Sequence, residues 1–541
     1  MASDGDLGDL LAKALPTGVE LTVRHVSSTP APSTALFAAA PGREPEATFC
    51  ENHFLTVSID SPKVNGGEII VFGMEVLVYN TAHLTTIFVS KADSTGFLHL
   101  LKVGQKVSVL RLISNTFLSF LVQTHQRPGV RLVVSLFARA QNQYLFPGSI
   151  DNAEKHVLDD RGLIKWWCRA VDPILRDHEP ESVSKDSKLM HQGAESAKAS
   201  ATAYLIVPGC DRFETRNFFP LTAKSDGQDR PRWLSSYPVN QMCHDPSAPP
   251  RCLIPRLPDD PKTRFLIDLD DELPESAEGQ DAPPSTGLWR SVRSLDQFWE
   301  MMSFRQECSA GRLVGFLWLV VNPPGLMNST TMASRIMSAV PSDKIDNGVH
   351  VFTSTDSGDK LPTDAPKLSG EHSAEIPEPQ AVTPPHFDHP PVASSTELQS
   401  NEIIPFYWPE AGRGNVVFNE AEYKKMMDCV LDHFYDESEI VASTKDYIDQ
   451  VASLADQLTW GKRVVGTRKL ENTTTYSAET NTLDIGLVRK RKKSASGGET
   501  KGSNEAIIAQ PRGADEIQST PSQPVAVNVL SAGLVRKKKK I

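Results

Sequence analysis

The sequence lacks the features of secreted, disulfide-bonded and membrane-spanning proteins. Its 541 residues include only seven cysteines, which are widely spaced and form no C-x-x-C pair. This spacing favours reduced thiols in an intracellular protein over a disulfide framework or a zinc site. The first residues, MASDGDLGDLLAKALPTG, have neither the basic nor the apolar region of a signal peptide. Because no run of about eighteen apolar residues occurs, we expect no membrane span.

The motifs of several common chemistries are also missing. The chain has no G-x-x-x-x-G-K-[ST] loop and no G-x-G-x-x-G, so the usual forms of nucleotide binding are unsupported. It has no H-E-x-x-H and no G-x-S-x-G, which argues against a metalloprotease or a serine hydrolase. The pair His386-x-x-His389 lies in proline-rich sequence, where we expect solvated histidines rather than metal ligands. The sequence therefore predicts no metal site.

The charge is divided between an acidic body and a basic tail. The net charge is −11, but residues 488–541 carry twelve Lys and Arg against four Asp and Glu, a net charge of +8. The remainder therefore carries −19, which favours basic protein clients. The tail contains two similar sequences, IGLVRKRKK and AGLVRKKKK. Nuclear import, contact with an acidic chaperone and contact with the DNA backbone all remain open for them, whereas base-specific recognition is not expected without interleaved aromatics.

Hydrophobic patterns predict an α/β fold with a central mixed β-sheet surrounded by helices. Apolar, β-branched runs indicate strands, the first two of them paired and the third central. They lie at residues 68–80, 84–93, 130–140 and 312–322. Helical spacing and capping residues indicate five helices. These cover residues 115–127 and 159–175 and begin near Ser294, Asn419 and Thr444.

Composition divides the chain into folded and unfolded parts. Nine prolines lie between residues 341 and 400 with few large apolar groups, so this stretch cannot offset the entropy of ordering. The helices beyond it are expected to pack back on the strands. The predicted division is a flexible segment (1–48), the first part of a folded domain (49–338), a disordered insertion (339–401), the C-terminal helices of that domain (402–470) and a disordered basic tail (471–541).

Three short clusters carry a resemblance to a known family. They are FVSKADSTG, QYLFPGSIDNAEKHVLDDRGLIKWWCR and PDDPKTRF, and LTWGKR and NTLDIGLVRKRKK follow in the same order. Together they resemble the fungal histone H3 lysine acetyltransferases that work with histone chaperones, structural relatives of the CREB-binding-protein acetyltransferases. The resemblance implies an acetyltransferase fold, acetyl-coenzyme A as co-substrate and a histone substrate.

The resemblance also implies roles for individual residues. Cofactor contacts fall on Ala92, Asp93, Ser94, Phe137, Arg139, His156, Val157, Leu158 and Trp166. Catalytic roles fall on Asp260, Asp259, Tyr144, Trp167 and His156, with Asp260 the favoured acid or base and Trp167 lining the tunnel for the substrate lysine. Lys262 matches a buried lysine that becomes autoacetylated. The pyrophosphate loop falls near residues 106–111, where the expected arginines are few, so no individual contact is assigned there.

The chemistry of these residue types agrees with acetyl transfer to an amine. A lysine ammonium has a pKa near 10.4, so its proton must be removed before the nitrogen can attack a thioester. Aromatic walls disfavour the charged amine, and a neighbouring carboxylate accepts the proton directly or through water. Whether Asp260 is the literal base stays open, because several related acetyltransferases lack one essential base.

Each assignment has an alternative from the residues alone. Trp166 and Trp167 are compatible with ordinary core aromatics, and His156 with a structural histidine. Asp93 is compatible with a turn cap, and Lys262 with a salt-bridge partner of the aspartates. The turn-forming sequence Pro-Asp-Asp-Pro at 258–261 is also compatible with a plain turn.

The functional expectation combines these observations. We expect a nuclear histone acetyltransferase that acts on histone H3, mainly at lysine 56 and with N-terminal tail lysines as further sites, linked to chromatin assembly, replication and the DNA damage response. Histone H3–H4 and chaperones of the nucleosome-assembly and anti-silencing types are the implied partners. The alternative is a non-enzymatic, histone-binding chromatin adaptor that retains the fold.

Overall fold

The computed structural model describes residues 5–61, 66–101, 107–181, 198–227, 230–243, 245–273, 288–308, 311–324, 326 and 407–469. All of them belong to one compact unit, Met1–Tyr476. The predicted insertion at 339–401 and the predicted tail at 471–541 lie outside these ranges. None of the described helices is both long and apolar enough to span a membrane.

Strands from the whole described length join one sheet. They are β1 Glu20–Ser28, β2 Ala31–Ser33, β3 Thr48–Ser61, β4 Gly67–Asn80, β5 Leu84–Ser94, β6 Arg131–Ala138, β7 Ser200–Ile206, β8 Trp233–Leu234, β9 Gly315–Asn322, β10 Val416–Phe418 and β11 Lys462–Val465. Their order is β10-β1-β3-β4-β5-β6-β9-β7-β8, with β11 beside β1 and β2 beside β3. Parallel pairs (β1–β10, β5–β6, β7–β8) mix with antiparallel ones, so the predicted mixed sheet is confirmed.

Helices lie on both faces of this sheet. They are α1 Leu7–Ala14, α2 Val109–His125, α3 Asp160–Arg176, α4 Arg212–Arg216, α5 Val239–Met242, α6 Pro261–Asp270, α7 Leu295–Met302, α8 Glu420–Asp432 and α9 Ile440–Leu454. Because β5 and β6 are parallel, the chain between them must run back over one face of the sheet. Helix α2 forms this crossover connection.

Strand β9 shows why the central strands read as unbroken apolar runs. Its Leu317 and Leu319 belong to the large core that also contains α2 and α3 residues. Phe316 and Trp318, which alternate with these leucines, belong to a second core, which contains α6 and α7 residues. A strand that is buried on both faces needs apolar residues at successive positions, not an alternating pattern.

The prediction of a flexible segment over residues 1–48 is wrong for residues 7–28. Helix α1 buries Leu7 and Leu11, and β1 lies inside the sheet, paired with β3, β10 and β11. The composition of this segment, rich in small and β-branched residues, does not reveal these partners because they lie far away in sequence. Only tertiary pairing makes the strand stable.

Two helix starts also differ from the prediction. Helix α2 begins at Val109 rather than Asn115, since the hydroxyl of Ser108 accepts a hydrogen bond from the Arg111 amide and caps the helix six residues earlier. Helix α9 begins at Ile440 rather than near Thr444. Phe434 follows the end of α8 and is 59% exposed.

Helices α8 and α9 pack against sheet strands that come from the sequence before position 324. The Ile70 amide in β4 donates to the hydroxyl of Thr444 at 3.0 Å, and the hydroxyls of Thr56 and Tyr447 lie 3.3 Å apart. Tyr423, at the start of α8, is buried in the large core. Residues 407–469 therefore share one hydrophobic core with the N-terminal strands.

Candidate active site

The two central parallel strands part at their C-terminal ends. Paired positions run from Leu84 opposite Arg131 to Val89 opposite Leu136, and no further pair joins the described residues of β5 and β6. Beyond that point β5 continues along β4, and β6 continues along β9. A β-bulge at Ser90 in β5 marks the separation, since bulges bend a strand and end its pairing.

A pocket lies where these strands separate, and it brings together most of the residues chosen from the sequence. Its walls come from the end of β5, the end of β6 with the following loop, the 155–158 segment and α3. The predicted residues that line it are Ala92, Asp93, Ser94, Phe137, Arg139, Tyr144, His156, Val157, Leu158, Trp166 and Trp167. Residues distant in sequence thus form one concave surface with apolar walls and a few polar groups, as ligand sites usually do.

Asp93 fixes the loop that carries Tyr144. One carboxylate oxygen, Oδ2, accepts hydrogen bonds from the amides of Tyr144 at 2.7 Å and Leu145 at 3.1 Å. The other, Oδ1, pairs with the Lys155 ammonium at 3.0 Å and accepts from the Ser94 amide. Asp93 therefore caps a local turn and also acts as an internal anchor of the pocket. Burial lowers the pKa of Lys155 although the charge of Asp93 opposes this.

Tyr144 presents a protonated phenol at neutral pH. Burial raises the pKa of its hydroxyl to about 12. The hydroxyl donates to the carbonyl oxygen of Arg139 at 2.5 Å, which closes the loop upon itself. The ring therefore has a fixed orientation in the pocket wall.

Helix α3 supplies the aromatic wall. Asp159 caps its N-terminus by accepting from the Gly162 amide at 2.6 Å, which confirms the predicted helix with an acidic start. Trp166 and Trp167 meet edge to face, with ring centroids 4.9 Å apart. The carboxylate of Asp160 accepts from the Ala140 amide at 3.1 Å, so the helix holds the loop after β6.

The predicted turn at residues 257–260 is present and begins a helix. The Asp260 amide donates to the Leu257 carbonyl at 3.4 Å, with Pro258 second in the turn and Asp259 third at a φ of 56°. Proline and a left-handed residue at these positions are typical of a type II turn. Pro261 then opens α6 at the position where proline is best tolerated in a helix.

Asp260 and Lys262 form a closed, buried ion pair. The Lys262 ammonium lies 2.5 Å from Asp260 Oδ2, and each side chain is 1% exposed. The ammonium also lies 4.2 Å from the centroid of the Phe316 ring. Burial lowers the pKa of Lys262, against the attraction of Asp260. Neither residue is among the described residues that line the pocket, so Asp260, the favoured acid or base, lies outside it. Lys262 is instead the salt-bridge partner of Asp260.

Asp259 is likewise absent from the described residues that line the pocket, but it lies in a different environment. Its side chain is 58% exposed, and its carboxylate pairs at 3.1 Å with the ammonium of Lys91, a residue of the pocket wall. Lys91 also pairs at 3.1 Å with Glu75 of β4. Sequence reasoning missed Lys91 and Glu75. A carboxylate within the apolar run of β4, and a lysine beside Ala92 in the first cluster, were the available signals.

The pocket fits an extended acyl-carrier arm better than a metal. Where β5 and β6 part, their backbones no longer satisfy each other's N–H and C=O groups, and Phe137, Leu163 and Trp166 supply apolar wall. Leu110, in the first turn of α2, also lines it, so the positive end of that helix dipole lies near the pocket. Of the predicted phosphate region 106–111, Lys106 lies outside the described residues.

A buried acid–histidine cluster elsewhere offers metal-ligand atoms. Ligand atoms of Glu51, His53 and His125 lie within 4.8 Å of one another. However, Glu51 Oε1 and His125 Nε2 are 2.5 Å apart, which is a hydrogen-bond distance and leaves no room for an ion between them. This cluster is best described as an internal hydrogen-bond network.

Comparison with known proteins agrees with this geometry. The family model for the histone acetyltransferase KAT11-type domain matches residues 7–130 and 127–450. Histone acetyltransferase rtt109 of Aspergillus flavus is 58% identical over 531 residues, or 95% of this chain and 93% of that protein. The protein of the same name from Schizosaccharomyces pombe is 31% identical over 312 residues, or 58% and 70% of the two chains.

A solved structure supports the same relationship. The crystal structure of Rtt109 from Aspergillus fumigatus is 58% identical, with a TM-score of 0.69, and the match covers 86% of this chain and 100% of that one. The resemblance stated from the sequence is thereby confirmed, and the enzyme is favoured over the non-enzymatic chromatin adaptor. The chain belongs to the family of KAT11-type histone acetyltransferases.

Proposed function

We propose that the pocket between β5 and β6 binds acetyl-coenzyme A and that the enzyme transfers the acetyl group to lysines of histone H3, mainly lysine 56. One observation carries this proposal. The predicted cofactor residues, which come from the first two clusters and from the end of β6 with its following loop, converge on one concave surface, with Tyr144 and Trp167 in its wall and Asp259 tied to it through Lys91.

The cofactor side of the pocket suits a thioester at the end of a long flexible arm. Released backbone groups at the ends of β5 and β6 can hydrogen-bond an extended amide chain, as an added strand would. Phe137, Val157 and Trp166 provide apolar contacts along that arm. The N-terminus of α2 and the guanidinium of Arg139 supply positive charge for phosphates.

The acceptor side must take a proton from an ammonium. Aromatic surface from Trp167 and Tyr144 disfavours a charged amine, which lowers its pKa. We assign the proton-accepting role to Asp259, whose exposed carboxylate is held beside the pocket. Asp260 instead maintains the turn and the helix start through its buried pair with Lys262. No covalent intermediate is needed, since the neutral amine attacks the thioester directly.

The charge pattern of the chain supports basic clients and a nuclear location. Outside residues 488–541 the chain carries −19, which attracts the basic histones H3 and H4. We propose that chaperones of the nucleosome-assembly and anti-silencing types present this substrate, and that N-terminal tail lysines are secondary sites. The basic sequences in 485–540 suit import receptors, with DNA contact a weaker role. We further propose, as the resemblance implies, that the activity serves chromatin assembly, replication and the DNA damage response.

One assay tests the proposal. The purified protein is mixed with acetyl-coenzyme A and histone H3–H4 bound to a chaperone, and acetylated lysines are mapped by mass spectrometry. We expect acetylation at lysine 56 that depends on the chaperone. Absence of acetylation at saturating acetyl-coenzyme A would refute the proposed reaction, and acetylation confined to other lysines would refute the proposed site.

A further inference from the structure

Lys91 is a pocket lysine whose ammonium is held between two carboxylates. Its Nζ lies 3.1 Å from Glu75 Oε2 and 3.1 Å from Asp259 Oδ2. The Lys91 side chain is 22% exposed and that of Glu75 is 10% exposed, so both are largely withdrawn from water. The lysine therefore links a buried strand carboxylate to the exposed turn that carries Asp259.

The strand irregularity in β5 creates this arrangement. The bulge at Ser90 sets Lys91 directly opposite Glu75 on the neighbouring antiparallel strand. Residues paired in this way are near enough for their side chains to interact, and bulges re-aim the side chains beside them. The hydroxyl of Ser90 also donates to Glu75 Oε2 at 2.8 Å. Glu75 Oε2 thus accepts from two donors, the Ser90 hydroxyl and the Lys91 ammonium.

Asp259 needs such a partner to have a defined orientation. Its backbone occupies the left-handed region, with φ at 56°, and its side chain is more than half exposed. An exposed carboxylate in a tight turn has several rotamers of similar energy. Among the described residues, the ion pair found for Asp259 is the one with Lys91.

Lys91 stays charged while it holds this carboxylate. Burial alone would lower its pKa, but the negative charges of Glu75 and Asp259 outweigh burial and raise it. It is therefore an ammonium at neutral pH and cannot itself act as a base. Because two carboxylates already surround it, the group carries a net negative charge, which makes it a poor site for cofactor phosphates.

We infer that Lys91 is a positioning residue that fixes Asp259 beside the pocket and, as a neighbouring cation, favours loss of the acceptor lysine's proton. The inference rests on the acetyl-transfer function proposed above. An amine that shares Asp259 with Lys91 lies near a second positive charge, which disfavours its protonated form. The ion pair with Glu75 holds the Lys91 ammonium in place when a substrate lysine enters.

The reaction then balances as follows. The acceptor ammonium gives one proton to Asp259 or to water that Asp259 orders. The neutral nitrogen bonds to the thioester carbonyl carbon, and the carbon–sulfur bond breaks. The nitrogen's second proton passes to the departing thiolate, which leaves as the free thiol of coenzyme A.

The test compares Lys91→Met and Lys91→Arg with a surface control, Lys445→Met in α9. Steady-state kinetics on chaperone-bound histone H3–H4 give kcat, the KM of each substrate and the pH dependence of kcat/KM. We expect Lys91→Met to lower kcat by about tenfold or more and to shift the alkaline-rising limb of the profile to higher pH. The KM for acetyl-coenzyme A should stay unchanged. Lys91→Arg keeps the charge and should restore most of the rate, and Lys445→Met should match the wild type.

A double variant separates positioning from a merely structural effect. If Lys91 acts through Asp259, then Lys91→Met combined with Asp259→Asn should lose less activity than the two single losses together, since coupled residues are not additive. Melting temperatures measured in parallel identify any variant that fails to fold, and the Lys91→Arg comparison remains informative in that case.

Three outcomes would overturn the inference. An increased KM for acetyl-coenzyme A with unchanged kcat in Lys91→Met would make Lys91 a phosphate contact instead. Fully additive losses in the double variant would remove the link to Asp259. If the wild type is active and Lys91→Met is equally active, this inference is refuted and the proposed function stands. If the wild type is inactive, both are refuted.

Discussion

The ammonium of Lys262 lies 2.5 Å from the carboxylate of Asp260, and neither side chain reaches solvent. The same carboxylate accepts from the Lys262 amide at 2.9 Å and caps α6. Its neighbour Asp259, one peptide bond away, is exposed and paired with Lys91. The two adjacent aspartates therefore differ: Asp260 is buried at the start of α6, and Asp259 pairs with a lysine of the pocket wall.

This division predicts opposite effects on stability and turnover for the two amide substitutions. Asp260→Asn leaves the charge of Lys262 buried without a counterion, and removing one partner of a buried pair costs about 3–5 kcal/mol of unfolding free energy. Asp259→Asn removes a partly exposed pair and should change stability by less than about 1 kcal/mol. Chemical denaturation of both variants measures the difference, with turnover recorded beside it.

The stability loss in Asp260→Asn should be reversible by a second change. Adding Lys262→Met removes the unpaired charge, so the double variant should recover most of the lost unfolding free energy. If the double variant is as unstable as Asp260→Asn, the buried charge is not the cause. A wild-type turnover in Asp259→Asn would remove Asp259 from the mechanism.

Lys262 is also predicted to carry an acetyl group in protein purified from its host. Burial among Phe316, Trp318 and the α6 residues lowers its pKa, which favours the neutral, nucleophilic amine. Peptide mass spectrometry detects the modification. The Asp259→Asn variant is the control, because weakened self-modification should reduce the acetylated fraction whereas modification by host enzymes would not. An unmodified Lys262 in the active protein would contradict the prediction.

The parts of the site that lie in contiguous sequence were predictable, and the parts that depend on register were not. FVSKADSTG and the segment from Gln143 to Arg169 carry most of the pocket wall, because each supplies several neighbouring contacts from one strand end, loop or helix. The link between Glu75, Lys91 and Asp259 depends on a one-residue bulge and on the meeting of β4, β5 and a distant turn. No local pattern encodes those distances.

The same distinction applies to the fold. The long apolar strands β4, β6 and β9 were predicted because burial on both faces leaves a strong signal in sequence. Strand β1 was missed because its partners in β3, β10 and β11 lie up to several hundred residues away. The pairing of Asp260 with Lys262 was foreseeable from their spacing, but the exclusion of Asp260 from the pocket was not.

Asp93 is predicted to act on the pocket through the Tyr144 loop. Asp93→Ala removes the acceptor for the amides of Tyr144 and Leu145 and the counterion of Lys155. We expect faster hydrogen exchange at these two amides and a KM for acetyl-coenzyme A raised by about tenfold. The control is Asp151→Ala, an exposed acid of the same loop region. Unchanged exchange at Tyr144 would mean that the loop is held by other contacts.

The buried cluster of His25, His53, His125 and Glu51 predicts acid sensitivity of the fold. Burial lowers the pKa of His25 well below its ordinary value, with further lowering from neighbouring histidines, and burial also lowers the pKa of His53. In the unfolded chain His25 and His53 take up protons as the pH falls through about 6.5. In the folded protein their lowered pKa values oppose this protonation, so a falling pH stabilises the unfolded state relative to the folded state. The free energy of unfolding therefore declines.

Glu51 extends this loss to lower pH. Burial alone would raise its pKa, but the hydrogen bond with His125 and the neighbouring His53, whose Nε2 lies 3.6 Å away, outweigh burial and lower it to about 2. Its contribution to stability is therefore complete above its unfolded pKa, near 4.5, and is lost as the pH falls from there towards 2. The two effects act in adjoining ranges, the histidines first and the carboxylate second.

Denaturation midpoints measured in small steps from about pH 7.5 down to about pH 2 test this account. This range spans the ordinary histidine pKa of about 6.5 and the lowered pKa of Glu51, about 2. Each buried, neutral histidine contributes a slope of up to about 1.4 kcal/mol per pH unit below its unfolded pKa. His53→Asn should flatten the upper part of the curve while lowering stability throughout, since it removes one such group. His83→Asn, at an exposed position in the β4–β5 turn, should leave the curve unchanged. A wild-type stability that stays constant between neutral pH and the ordinary glutamate pKa would show that the cluster takes up its protons in the folded state.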